Sequence, residues 1–483
     1  MAFKHGAYAS EQSTAIATVT TSDMVTVAIG AAPVHLASDR ADANKPIICH
    51  TYKEAVEQFG YSDDWESYPL CGVMKVFFSR YNVAPVVFIN VLDVKNSAHI
   101  TAVAESEKTV ADMAVILPAS EAVLKDTLVV ALTAGGEALV AGTDYIAAYN
   151  DDEELVITIT DDGAAKSATS LFVKYSKLKP SAVDKDTVIG GVSAETGQSK
   201  GLEVLDMVYP YTGSNVGIII APGYSHNTSV AAAMAAKCEG LSGVFGAVAV
   251  VDISTTEVKK YTHAYSYKND HGLTDRNTYL VWPMTKLDGK IFYGSVDAAA
   301  RMIQTDSKNG DVPYESPSNK AVVIDGACLA DGTEVYLYQS QGNNLNQNGI
   351  TTFVNMNGWK IWGNFTAAKP ESNDVKDYFL PIRRMFQWVS NTLILTFLTN
   401  VDNPLNVRLR NTILDSANIW LNGLVANGKL LGGRVEFRED ENPITDLMAG
   451  IARFHVYLTP PSPAQDIEFV LEYDASYISE MFS

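Results

Sequence analysis

Residues 216–221 are an unbroken apolar run of strand length, closed by the Pro222-Gly223 turn. An Ala-rich helical stretch follows at 228–238, and a second apolar run at 247–252. Strand, helix and strand in that order make a βαβ unit, which commits the two strands to parallel pairing through a right-handed crossover. A parallel sheet must be covered on both faces, so much of the chain has to supply helices around it.

The same alternation occupies residues 25–97. Short apolar strands are expected at 25–29, ending on Gly30, at 46–50 and at 86–91, the last almost wholly apolar. Amphipathic helices are expected at 52–59 and 70–81, the first with Thr51 as N-cap and Glu54 at the capping-box position.

Between 98 and 185 the pattern changes. Strands at 128–132, 145–149, 155–160 and 171–175 are separated by Gly135-Gly136, a turn at 141–144, an acidic turn at 150–154 and Asp161-Asp162-Gly163. A strand about every ten residues with such punctuation points to a small antiparallel sandwich inserted into the α/β unit. Its acidic side chains (Asp151, Asp152, Glu153, Glu154, Asp161, Asp162) read as solvated turns. The α/β pattern resumes from 186 to 350. Two long helices are then expected at 377–397, with Pro381 near its start, and at 403–426, with Pro404 in an early position where its missing N–H costs little.

The two ends differ from the body. Residues 1–28 are small, polar and β-branched and read as an extended arm, with Tyr8 and Val19 among its candidate contacts. At the other end Ile467, Phe469, Leu471 and Tyr473 alternate with Glu468, Val470 and Glu472. This is the period-2 pattern of a half-buried strand, carried on a stiff Pro460-Pro461-Ser462-Pro463 connection. A strand held out on such an arm has to pair with something, and an open sheet edge in another copy of the chain fits best. The fold class expected is therefore α+β and multidomain. An arm at 1–28 leads into an α/β core at 29–97 and 186–350, with a β-sandwich-like insert at 98–185. A C-terminal α/β domain at 351–463 follows, and a second arm at 464–483; the arms add strands to neighbouring subunits.

The chain has 483 residues, a soft prior of about three or four domains, and 47 % are hydrophobic, ample for several cores. Its net charge of −20 argues against direct binding of nucleic acid or anionic membranes through the whole surface. No apolar run approaches the roughly 18 residues that span a bilayer, and residues 1–12 lack the apolar core of a secretory signal. Cys49, Cys71, Cys238 and Cys328 are far apart, without CxxC spacing, and read as buried reduced thiols.

Catalytic signals are weak. Gly223-Tyr224-Ser225-His226-Asn227 lies at a strand-to-helix turn, but a nucleophile elbow needs glycine where Asn227 stands, and Ser225 or Thr228 is expected to cap the helix instead. Residues 191–200 lack the Gly-Lys-Ser/Thr ending of a phosphate-binding loop and read as a flexible connection. The eight histidines show no metal-ligand spacing, and His263 and His271 have no matching carboxylate pattern. No cofactor, metal or catalytic residue is expected, and an α/β hydrolase is the distant alternative.

One local feature opposes the overall sign. From 381 to 434 the charges are Arg383, Arg384, Arg408, Arg410, Lys429 and Arg434 against Asp402 and Asp415. They read either as ordinary helix-surface charge or as a face that docks on an acidic partner. Adjacent residues diverge by about 100° on a helix, so one of Arg383 and Arg384 is expected at the rim of the core.

Many short motifs, in order over most of the chain outside 98–185, resemble the contractile-tail sheath proteins of phages and R-type bacteriocins. They are Gly6-Ala7-Tyr8, Ala221-Pro222-Gly223-Tyr224-Ser225, Ser316-Pro317-Ser318-Asn319-Lys320, Asn346-Gln347-Asn348-Gly349, Gly358-Trp359-Lys360-Ile361-Trp362-Gly363, Pro381-Ile382-Arg383-Arg384, Asn442-Pro443 and Thr459-Pro460-Pro461-Ser462-Pro463. The sequence departs at Ala464-Gln465, where the family often has Ala-Glu. The resemblance implies a structural subunit that forms stacked hexameric rings in a helical assembly around an inner tail tube protein. Its other partners would be baseplate and tail terminator proteins. It would be assembled in the bacterial cytoplasm and reside in a virion tail or bacteriocin particle. The arms would weave neighbours together through Tyr8, Val19, Ile467, Phe469, Leu471 and Tyr473. Arg383, Arg384, Arg408 and Arg410 would face the tube, and the insert would project outward.

Overall fold

The computed structural model describes Val19, Thr21 and residues 24–479; Tyr8 and most of the expected N-terminal arm lie outside the described residues. The centre is an eight-stranded sheet built from β1 (Met24–Gly30), β2 (Ile47–Cys49), β3 (Val86–Asn90), β4 (Asn215–Ile220), β5 (Val248–Asp252), β6 (Thr278–Val281), β7 (Ile350–Asn355) and β8 (Trp359–Trp362). Their order is β8-β7-β6-β5-β4-β1-β3-β2. The six inner strands are parallel, with Ala28 opposite both Phe88 and Ile220, and Ile218 opposite Val248. Only the rim strands β2 and β8 run antiparallel to their neighbours. Every residue of β3, β4 and β5 is buried, which is why these strands are continuous apolar runs rather than alternating ones.

Helix Tyr52–Phe59 begins as expected, with Thr51 Oγ1 accepting from Glu54 N–H at 3.2 Å. Glu54 answers one residue further out than a capping box, accepting from His50 N–H at 2.8 Å. Helix Thr228–Lys237 is capped by Asn227, whose side chain accepts from Ser229 N–H, rather than by Ser225 or Thr228.

The insert consists of two three-stranded antiparallel sheets that share one core around Val115, Leu117, Val130, Ile157, Leu171 and Val173. Sequence patterning finds its strands Val129–Ala131, Tyr145–Tyr149, Leu155–Ile159 and Ser170–Leu178. It misses Ile100–Thr109 and Ala114–Leu117; the former carries Glu105, Glu107 and Lys108 and is largely solvated.

Two expectations at the C-terminal side need correction. Strands β7 and β8 belong to the main sheet, Leu280 of β6 facing Ile350, so the division expected at 351 falls inside that sheet. The helix expected from 403 starts at Val407, because Asn406 Oδ1 accepts from Leu409 N–H at 2.9 Å, and Pro404 lies outside it. Beyond the sheet, helices Leu380–Leu398 and Val407–Ala426 and a two-stranded antiparallel sheet, Gly432–Glu436 with His455–Thr459, enclose a separate core. Met385, Trp388, Leu421, Leu424 and Val435 lie at its centre.

Candidate functional site

The turn after β4 performs a packing task. Ser225 is fully buried; its Oγ donates to Asp252 Oδ2 at 3.0 Å and accepts from Asp252 N–H at 3.1 Å. Asp252 also accepts from Ser295 N–H at 2.8 Å and Ser295 Oγ at 2.5 Å, which ties the end of β5 to the start of helix Gly294–Lys308. Burial raises the Asp252 carboxyl above the usual carboxylate range, and the serine hydrogen bonds pull against it. Among the described residues the partner of the Ser225 Oγ is a carboxylate held in the core, not a histidine.

Residues 191–200 form a short hairpin, Gly191–Val192 against Ser199–Lys200. His263 lies within helix Tyr261–Asp270, and His271 stacks on Tyr267 with ring centroids 4.0 Å apart. Among the described residues no group of three His, Cys, Asp or Glu side chains is placed to hold a metal. The four cysteines are free and buried, and burial pushes the Cys49 thiol up to about 12. Among the described residues no helix is long and apolar enough to cross a membrane.

Among the described residues, the C-terminal segment carries a run of uncovered apolar side chains. Residues 460–474 join no ladder, and Phe469 and Leu471 are 83 % and 93 % exposed, beside an exposed Ile467, Val470 and Tyr473. Free apolar surface of this extent is costly for a solitary chain and marks a segment awaiting cover. Its first part, Pro461 to Ile467, borders a cleft of about 970 Å³ with Ser316, Asn343, Trp362 and Asn364. Val19, at the opposite end, is half-buried.

The basic residues separate into different environments. Arg384 is 1 % exposed and bonded to Asp306, so its guanidinium presents no charge to a partner. That removes it from the tube-facing set for the reason helical geometry gives: Arg383 and Arg384 diverge, and one turns inward. Arg383 is half-buried and donates from Nε to Asn277 Oδ1 at 2.7 Å. Lys429 donates to Asn309 O at 2.8 Å, and Arg434 pairs with Glu436 at 2.6 Å. Arg408 stays exposed on the first turn of helix Val407–Ala426, and Arg410 is half-buried with its guanidinium 5.9 Å from the Phe437 ring centre.

A covered parallel sheet, a sandwich insert and an uncovered C-terminal segment beside a two-stranded sheet make up the architecture. The fold is that of contractile sheath subunits. A sheath complex of an extracellular contractile injection system (PVC), solved in its contracted state, superposes with a TM-score of 0.58 over 99 % of each chain at 13 % identity. In sequence, the relatives are tail sheath proteins of phages. That of Burkholderia phage BcepMu is 26 % identical over 370 residues, covering 73 % of this chain and 74 % of the relative. That of Escherichia phage P2 is 25 % identical over 295 residues, covering 60 % and 72 %. No protein-family model matches the chain.

Proposed function

We propose that this chain is the sheath subunit of a contractile particle, a phage tail or a DNA-free bacteriocin. It polymerises in hexameric rings stacked around an inner tube and contracts to drive that tube through a bacterial envelope. The observation that carries this reading is the apolar row of the C-terminal arm, exposed along its length beside a domain whose small sheet stops at two strands. Strand addition between copies would cover the row and extend the sheet at once. Residues 1–28 would work as a second arm, with Tyr8 and Val19 among its contacts, as Ile467, Phe469, Leu471 and Tyr473 are for the first. Arg383, Arg408 and Arg410 are left as candidates for the tube-facing surface, and baseplate and terminator proteins would close the two ends. Contraction needs no nucleotide: the extended lattice would be metastable, and gains on the order of a few kcal/mol per subunit would add up because the arms link every copy.

Negative-stain microscopy of the full chain beside a version ending at Pro463 tests the reading. Striated hollow tubes from the first and single particles from the second are expected. Equal polymerisation of the two would remove the arm from the mechanism.

A further inference from the structure

The insert meets the core along a seam that carries two buried histidines. Residues 122–124 lie on it: Ala122 and Leu124 turn into the core, and Val123 between them turns into the insert. Leu178 and Val183 join the core side as well. Because the insert has a core of its own around Val115, Ile157 and Val173, it can part from the seam as a unit without unfolding.

His35, in the loop after β1, is 4 % exposed. Its ring stands between Tyr68 of the core, 6.1 Å away between ring centroids, and Tyr149 of the insert, edge-on at 5.8 Å. Tyr149 donates its hydroxyl to Val123 O, which fixes the insert's side of the contact. His35 Nδ1 is buried and has no hydrogen-bond partner among the described residues. The charge that acts on the ring is Arg40, whose Nη1 pairs with Asp126 of the insert at 3.1 Å. Asp64 and Glu153 act on Tyr68, and burial lifts both phenols, so neither tyrosine supplies an anion. Burial first, and then Arg40, lowers the His35 pKa to about 4.

His99 stands where the two crossings of the chain meet. Its carbonyl accepts from Lys179 N–H at 2.9 Å, just below strands Ile100–Thr109 and Ser170–Leu178. Its Nδ1 accepts from Asp93 N–H at 2.9 Å, a bond that requires this nitrogen to carry no proton. A cleft of about 430 Å³ opens beside it, lined in part by Asp93, Asp184, Asp186 and Lys200. Burial lowers the His99 pKa; Asp93 and Asp184 pull upward, and Lys200 adds to the lowering.

We propose that this seam is an acid-sensitive latch: protonating His35 and His99 parts the insert from the core while each keeps its own fold. A proton on His35 puts a second positive charge beside Arg40, with no acceptor in place for the new N–H. A proton on His99 Nδ1 sets one N–H against another and breaks the bond to Asp93. Both histidines therefore bind a proton more weakly in the closed seam than in an open one. Closure is complete above the ordinary histidine pKa and is lost as pH falls from there toward the lowered values. For His35, lowered from 6.5 to about 4, this is worth roughly thirtyfold in the opening equilibrium at about pH 5.

Thiol labelling in the full chain tests it. Ala122→Cys places a thiol on the buried seam, and its rate of reaction with a dipyridyl disulfide is divided by that of Ser167→Cys, an exposed position of the insert. From about pH 7.5 to about pH 5 the ratio should rise roughly thirtyfold or more. With His35→Phe and His99→Asn added it should rise less than about threefold. Phe keeps a ring between the two tyrosines, and Asn offers Oδ1 to the Asp93 N–H, yet neither titrates. Each single variant should remove part of the rise, which decides the matter if the double variant does not fold. Cys71 and Cys238, fully buried in the core, should stay unlabelled throughout. No rise in the parent, an equal rise in the variants, or labelling of Cys71 and Cys238 together with the seam overturns the latch.

Discussion

Arg384 and Asp306 form a buried, two-pronged ion pair, Nη1 to Oδ1 at 3.1 Å and Nη2 to Oδ2 at 2.5 Å, between helix Leu380–Leu398 and helix Gly294–Lys308 of the core. The same C-terminal helix sends Gln387 Nε2 to Ala247 O at 2.6 Å, and Asn391 both donates to Gly246 O and accepts from Gly246 N–H. Packing alone would let the helix slide over the sheet; this set of directional bonds fixes its position. The C-terminal helices and the core are thereby joined as one body.

Breaking that pair from one side should cost far more than removing it. Arg384→Met leaves the Asp306 carboxylate buried without its cation and should lower unfolding free energy by about 3–5 kcal/mol. Arg384→Met with Asp306→Leu should recover most of the loss, since two apolar side chains replace two desolvated charges. Urea denaturation of the three proteins decides; equal losses in the single and double variants would show that the pair is not what holds the helix. Arg384→Glu consequently reports on folding, not on the tube.

Asp252 gives a pH dependence whose sign follows from its surroundings. Burial raises its pKa in the folded chain above the unfolded value, so the native state holds this proton more tightly than the unfolded one. Its contribution is largest below the unfolded pKa and is lost as pH rises from there through the folded pKa. Asp252→Asn keeps hydrogen-bonding partners for Ser225 and Ser295, whose hydroxyls can rotate to accept. The variant should show a shallower loss of stability across that window, measured by denaturation at a series of pH values. Identical slopes in variant and parent would be evidence against the assignment.

What was legible in the sequence follows from what each element needs. Strands β3, β4 and β5 are covered on both faces, so their continuous apolar runs announce them, and Thr51 marks a helix start through a bond made within four residues. Ile100–Thr109 escapes because neither of its faces is closed, leaving no period to read. The boundary expected at 351 cuts through β7 because the pairing of β7 with β6 spans about seventy residues, and a crossover of that length leaves no local signal. The inward turn of Arg384 depends on Asp306, 78 residues away, and the Asn418 side chain finds its partner, Val435, 17 residues later. The row of 467, 469, 471 and 473 is read from alternation alone, and in the single chain these residues are exposed together with Val470 of the opposite row.

Asn418→Ala should leave the Val435 N–H and C=O, which the amide bonds at 2.9 and 3.0 Å, without their partner. An unmet buried hydrogen bond costs about 1–3 kcal/mol. The main sheet has its own core, so the loss should concentrate in the small sheet, seen as faster amide hydrogen exchange at Val435 with unchanged exchange in β4. Uniformly faster exchange would mean that the amide supports the whole fold.

For the tube-facing proposal, Arg408→Glu is the clean probe, because the side chain is exposed on the first helical turn. Monomer stability should change by no more than about 0.5 kcal/mol. Co-sedimentation of the variant with tubes should fall if the tube's outer surface is acidic, and the loss should shrink as salt is added. Unchanged co-sedimentation at low salt would exclude Arg408 from the contact.

The arm offers the largest effect with the least disturbance of the monomer. Phe469 and Leu471 are almost fully exposed in the single chain, so Phe469→Asp with Leu471→Asp should leave its melting temperature unchanged. On assembly the two side chains would pass from water into an apolar interface, worth about 1.5–3 kcal/mol each, or 3–6 kcal/mol per arm. At 1.4 kcal/mol per tenfold, the concentration needed for polymerisation should rise by roughly 10²- to 10⁴-fold. Glu468→Gln, on the opposite row, should shift it little. Light scattering against protein concentration measures both. Polymerisation of the double variant at the parent's concentration would mean that the apolar row is not buried in the assembly, whatever else the arm does.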